Sequence, residues 1–67
     1  MPIIQVSLLE GRSVEAKRAY VKALTDCTVE IMKCPADAVT VILSEMTKEN
    51  LAKAGKLRLD SDAEAKK

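Results

Sequence analysis

Pro2 stands directly behind Met1, at the head of the run MPIIQVSLLEGRS. Proline offers no backbone N–H to a sheet and is tolerated only at the first residue or an edge of a strand. Its plain role is therefore a strand start. Removal of Met1 gives it another, because the ring nitrogen becomes a free secondary amine, a base. The same run ends in Arg12, just before Ser13. A guanidinium is a permanent cation whose planar fork matches a carboxylate, although a lone loop arginine is more often a surface residue. The chain has no histidine, which removes histidine-based metal sites and Ser-His or Cys-His nucleophile pairs. Cys27 and Cys34 form no C-x-x-C pattern and read as buried, reduced thiols, pointing to a cytosolic compartment. Ser7 and Ser44 have no basic partner at catalytic spacing, and Met32 and Met46 read as packing. A base and an anion anchor remain.

Those two groups need a scaffold, and 67 residues supply one small domain, residues 1–67. At this size a single core is marginal without disulfides, metal or partners. The composition is 48% hydrophobic with one aromatic residue, Tyr20. The core must be aliphatic, and apolar surface is left over for other subunits. A net charge of +1, with 31% charged residues of mixed sign, makes no basic footprint for nucleic acid. The first residues lack the positive region of a signal peptide, and no uncharged stretch reaches transmembrane length. The expectation is a cytoplasmic protein that binds neither nucleic acid nor membrane.

Ile3 to Leu9 reads as a strand, with Pro2, Ile4, Val6 and Leu8 on one face and Ile3, Gln5, Ser7 and Leu9 on the other. Gly11 suits a backbone position at positive φ, and Ser13 is a good helix N-cap. The helix should run to about Lys33, because Pro35 disfavours helical geometry at Cys34. Ala16, Tyr20, Ala23, Leu24, Cys27 and Ile31 form a stripe read as core. Ala38 to Glu45 is a second strand rich in β-branched residues. Strand, long helix, strand is an α/β arrangement, a β-α-β unit whose strands are parallel with a right-handed crossover. Gly55 permits a turn, and residues from about 57 to 67 read as a polar, solvated or disordered tail.

Such a unit covers neither its sheet edges nor both sheet faces, and exposed edges invite strand addition. Antiparallel pairing of two first strands gives a four-stranded sheet with two helices on one face. The other face must then pack on further dimers. Pro2 and Arg12 bracket the first strand, which at ~3.3 Å per residue holds them more than about 20 Å apart. Pairing brings Pro2 of one chain to Arg12 of the next. A site that uses both lies between subunits, and a monomer should be inactive.

The opening P-I-x-Q-x-x-x-L-E-G-R-S, then a helix, then P-x-x-x-V-x-V-I-x-x-E-M, resembles the 4-oxalocrotonate tautomerase family over residues 2 to about 55. The resemblance implies a β-α-β protomer assembled as a hexamer of three dimers, with the amino-terminal proline as catalytic base. Pro2 is then catalytic, and Arg12 binds a substrate carboxylate. The implied activity is isomerisation, in which Pro2 converts a 2-hydroxydienoate enol to its conjugated 2-oxo acid, as in aromatic compound catabolism. No cofactor and no metal are expected. The chemistry suits a secondary amine: a general base works best with a pKa near ambient pH, and an apolar, cation-containing pocket lowers that of an amine.

Two positions depart from the family. Thr40 stands where members acting on 2-hydroxymuconate usually carry a second arginine, and Leu51 stands where an aromatic wall is usual. Ala54-Gly55 replaces a glycine pair. Pro2, Arg12, Thr40 and Leu51 are the candidate site residues. The expected partners are an unsaturated 2-hydroxy or 2-oxo acid and further subunits, as a homo-hexamer or as a hetero-hexamer with a sister chain. The alternatives are a non-catalytic assembly subunit, or a hydratase or dehalogenase of unsaturated acids, for which Glu45 is the nearest water-activating acid.

Overall fold

In the computed structural model, which describes residues 1–65, β1 (Ile3–Leu9) and β2 (Thr40–Met46) run side by side in parallel. Ile3 lies opposite Thr40 and Leu9 opposite Met46. The Thr40 N–H donates to the Pro2 carbonyl at 3.0 Å, so Pro2 joins the sheet through its carbonyl although it has no N–H to give. The crossover between the strands is α1 (Val14–Met32). Ser13 opens it: its hydroxyl accepts the Ala16 N–H at 3.1 Å, the expected N-cap geometry. Lys33 closes it with φ 57°, and its N–H donates to the Val29 carbonyl. The β-α-β unit with parallel strands is as the sequence indicates. β2 starts later than Ala38, because Ala36–Ala38 form a 3-10 turn that uses Pro35 as its leading residue.

Burial alternates along β1. Ile4, Val6 and Leu8 are half-buried toward the helix, while Ile3, Gln5 and Ser7 are exposed on the other face. On α1 the half-buried row is Lys17, Val21, Leu24 and Thr28. This corrects the stripe inferred from the sequence, of which only Leu24 is half-buried; Ala16, Tyr20, Ala23, Cys27 and Ile31 are exposed. Lys17 stands in the inward row instead: its ammonium pairs with Glu45 on β2 at 2.6 Å, and its aliphatic stem lies inward. Apolar residues stand on two faces of α1, so their spacing alone does not say which face turns to the sheet.

No described residue is fully buried in the single chain. Ile3 (47% exposed), Ile42 (42%), Tyr20 (43%) and Ile31 (69%) remain in contact with water. The radius of gyration is 15.7 Å, against about 11 Å for a compact chain of this length. The protomer is elongated and unfinished, as a subunit is.

The polar stretch expected as a solvated or disordered tail from about residue 57 is, in its described part, polar and mostly exposed but helical. A 3-10 turn (Lys48–Asn50) leads to a short hairpin, β3 (Ala52–Lys53) and β4 (Lys56–Leu57), and then to α2 (Arg58–Ala65). Ala54 and Gly55, at φ 55° and 79°, make the turn. Positive φ at both central positions is the two-residue hairpin geometry, natural for glycine and costing about 1–2 kcal/mol for alanine. Ion pairs hold the polar helix in place. Asp62 binds Lys48 at 2.8 Å and Arg58 at 2.9 Å, and Glu64 pairs with Lys56. Composition alone read this stretch as solvated. The Lys66-Lys67 end of the expected tail lies outside the described residues.

Candidate active site

The four candidate residues fall into two groups, one at each end of the parallel sheet. Pro2 and Thr40 share the first end, joined by the Thr40 N–H to Pro2 carbonyl hydrogen bond. Their side chains belong to opposite faces. Thr40 is in register with Ile3, so it lies on the face away from α1, and Pro2 precedes Ile3 in extended chain on the helix side. Pro2 is half-buried, while Met1 is 79% exposed. While Met1 is attached, the proline nitrogen is an amide without a usable lone pair.

Arg12 and Leu51 share the other end. They line a groove of about 370 Å³ with Leu8, Leu9, Met46 and Arg58. Gly11 carries the chain into this end at φ 114°, a conformation that an L side chain strains to adopt. The Glu10 N–H donates to the Met46 carbonyl at 2.9 Å and ties the loop to β2. Arg12 follows, exposed and immediately ahead of the Ser13 cap. Among the described residues it makes no ion pair, so its charge is available to a ligand. It also borders an apolar hollow on the helix side beside Val6 and Tyr20. β1 is seven residues long, which at ~3.3 Å each keeps the two ends more than about 20 Å apart.

From the sequence Arg58 reads as a residue for solubility or subunit contact with no chemistry of its own, yet it reaches the same groove as Arg12. The signal was present in Ala54-Gly55. A two-residue turn sends the chain back antiparallel, pairing Ala52 with Leu57, so the next residue must return beside Leu51. The Arg58 N–H donates to the Leu51 carbonyl at 2.8 Å. Hydrogen bonds from Lys48 first, and from Arg58, hold the Asp62 carboxyl below the usual carboxylate range. Glu45 is engaged by Lys17.

The protomer is thus a parallel β-α-β unit with Pro2, behind Met1, at one end and a groove bearing Arg12 and Arg58 at the other, the architecture of a tautomerase subunit. Residues 2–60 match the family model described as "Tautomerase enzyme", and the chain belongs to the 4-oxalocrotonate tautomerase family of that superfamily, a group of isomerases. It is 41% identical over 64 residues to "Probable tautomerase" of Lactiplantibacillus plantarum, covering 96% of this chain and 100% of the relative. It is 36% identical over 62 residues to "2-hydroxymuconate tautomerase" of Bacillus subtilis, covering 92% of this chain and 100% of the relative. Among solved structures it superposes on a 4-oxalocrotonate tautomerase isozyme from Methylibium petroleiphilum with a TM-score of 0.90 and 38% identity, over 94% of this chain and 98% of that one. A heterohexamer 4-oxalocrotonate tautomerase from Chloroflexus aurantiacus matches with a TM-score of 0.84 and 25% identity, over 90% of this chain and 97% of that one. No described helix is long and apolar enough to cross a membrane.

Proposed function

We propose that Pro2, freed by loss of Met1, is the general base that converts a 2-hydroxydienoate to its conjugated 2-oxo acid. The neutral ring nitrogen takes the enol hydroxyl proton, and the resulting cation returns a proton to carbon farther along the conjugated chain. The carbonyl forms as that carbon is protonated, so charge and atoms balance without a cofactor. Arg12 anchors the substrate carboxylate, and Leu51 and Leu9 give the substrate chain an apolar wall. Thr40 offers one neutral hydrogen bond at the proline end.

The observation that carries this reading is the placement of base and anchor at opposite ends of β1. Antiparallel pairing of two first strands unites them, and the exposed sheet face with Ile3 and Ile42 offers a surface for further dimers. The site is therefore an interface property, in a homo- or hetero-hexamer. The heterohexameric relative gives the sister-chain form a precedent in the family. The reading places the protein in the cytoplasm, where the free thiols Cys27 and Cys34 persist. Hydration or dehalogenation is less well supported, because the Glu45 carboxylate is taken by Lys17 and so is not free to activate water.

The test is ketonisation of 2-hydroxymuconate by the untagged chain, with loss of Met1 confirmed by mass. Pro2→Ala should lower turnover by about 10²–10⁴-fold, the contribution of a positioned base, with assembly intact. Unchanged turnover overturns the proline mechanism. Turnover that needs an added sister chain establishes the hetero-hexamer.

A further inference from the structure

Arg58 adds a second guanidinium to the end of the sheet that holds Arg12. Its backbone is pinned to Leu51 at 2.8 Å, and its side chain lines the groove that Arg12, Leu51 and Met46 also line. The guanidinium is held through one nitrogen: Nε donates to Asp62 Oδ1 at 2.9 Å, and Asp62 is itself held by Lys48 at 2.8 Å. Among the described residues the two terminal nitrogens of Arg58 have no hydrogen-bond partner. Those nitrogens present paired N–H donors end-on to a carboxylate. The Asp62 side chain is 27% exposed and that of Arg58 48%, so the holding group is the more sheltered of the two. An arginine oriented through Nε, with its donor end unspent, is prepared for an anion.

We infer that Arg58 is a second carboxylate-binding residue, gripping with Arg12 the carboxylate at the substrate end remote from the base. The inference rests on the Pro2 reading for what lies at the other end. Its consequence is a specificity role for Arg58: binding that depends on a second carboxylate should depend on this residue as well as on Arg12. Two guanidinium groups over the apolar surface of Leu8, Leu9 and Leu51 favour such an end. A neutral end gives Arg12 and the terminal nitrogens of Arg58 no anion to bind. The charge absent at Thr40 is thus offset at the opposite end of the sheet. The offset works through binding, since Arg58 is remote from the developing enolate.

The experiment compares the processed wild-type protein with Arg58→Ala and Arg58→Lys. Calorimetry measures binding of trans,trans-muconate, an unreactive conjugated dicarboxylate. Kinetics follow 2-hydroxymuconate and 2-hydroxypenta-2,4-dienoate, which lacks the remote carboxylate. Arg58→Ala should weaken muconate binding and raise KM for 2-hydroxymuconate by about ten- to a hundredfold, the worth of a charged hydrogen-bonded pair. KM for the monocarboxylate should move less than about threefold on the same basis. Arg58→Lys keeps a cation for Asp62 but loses the fork, and should fall between. Unchanged muconate affinity in Arg58→Ala, or no muconate binding by the wild type, overturns the inference. So does an equal rise in KM for both substrates, which marks a structural role. Arginine-dependent muconate binding by a protein without turnover leaves the anchor standing and removes the Pro2 mechanism instead.

Discussion

The two ends of the parallel sheet are built on different principles. At the Pro2 end the contacts are those of the backbone: Pro2 follows Met1, and its carbonyl accepts one hydrogen bond from the Thr40 N–H. At the Arg12 end, several elements converge. The glycine loop after β1, the end of β2, the hairpin and α2 all contribute, and two guanidinium groups line one groove. On the proposed reading, one end supplies a reactive nitrogen and the other supplies recognition. The length of β1 keeps the two apart within one chain, so on that reading the protomer carries two half-sites that assembly joins.

The widest break of this comparison is to separate the ends permanently. Ile3 is 47% exposed on the sheet face that no element of the chain covers, and Ile42 lies beside it at 42%. Ile3→Asp places a charge at the centre of any surface packed there. Its desolvation costs several kcal/mol, enough to dissociate the assembly. Activity should vanish together with the large species in sedimentation. Full activity from a monodisperse protomer would sink the two-half-site reading.

Arg12→Ala strikes only the recognition end. Loss of a charge-assisted pair of about 1.5–3 kcal/mol raises KM for a carboxylate substrate by roughly ten- to a hundredfold. Oligomeric state should not change, since among the described residues Arg12 makes no ion pair. Unchanged kinetics remove the anchor. Thr40→Arg adds charge to the reactive end and should raise turnover of a 2-hydroxydienedioate by roughly tenfold, a part of what a positioned donor contributes. Thr40 faces away from α1, so this gain requires a neighbour packed on that face. Absence of any gain shows that the pocket there differs in shape as well as charge.

The two parallel strands and the helix between them were legible in the sequence because each depends on local signals. A proline at a strand start, a serine cap, a proline beyond the helix and β-branched runs act within a few residues of themselves. Of the groove at the other end, the sequence pointed to Arg12 and Leu51 but not to Arg58. Arg58 sits in a stretch whose composition is that of a solvated tail, and it becomes part of a groove through a turn and long-range ion pairs. Lys48 and Asp62 meet across a hairpin, a pairing that no local pattern announces. The misread helix stripe has a similar origin. Apolar residues occupy two faces of α1, and spacing alone does not say which one turns inward; the inward row includes Lys17, which reaches Glu45.

The mildest perturbation tests whether those ion pairs order the recognition end. Asp62 is held below its usual value of 3.8 by Lys48 first and Arg58 second. A carboxyl depressed in the folded state binds fewer protons there than in the unfolded chain. Its contribution is therefore complete above the ordinary value and is lost as pH falls below it, through the folded value. α2 and the hairpin should loosen in that acid range before β1, α1 and β2 respond. The pairs are exposed at the surface, so the effect is small and shrinks with added salt. Residue-resolved amide exchange between pH 5 and 2.5 reads it directly, and Asp62→Asn should abolish the early local step. If α2 instead loosens in step with β1 and α1, the ion pairs do not order the recognition end separately. Arg58 would then owe its place to the hairpin and its bond to Leu51 rather than to Asp62.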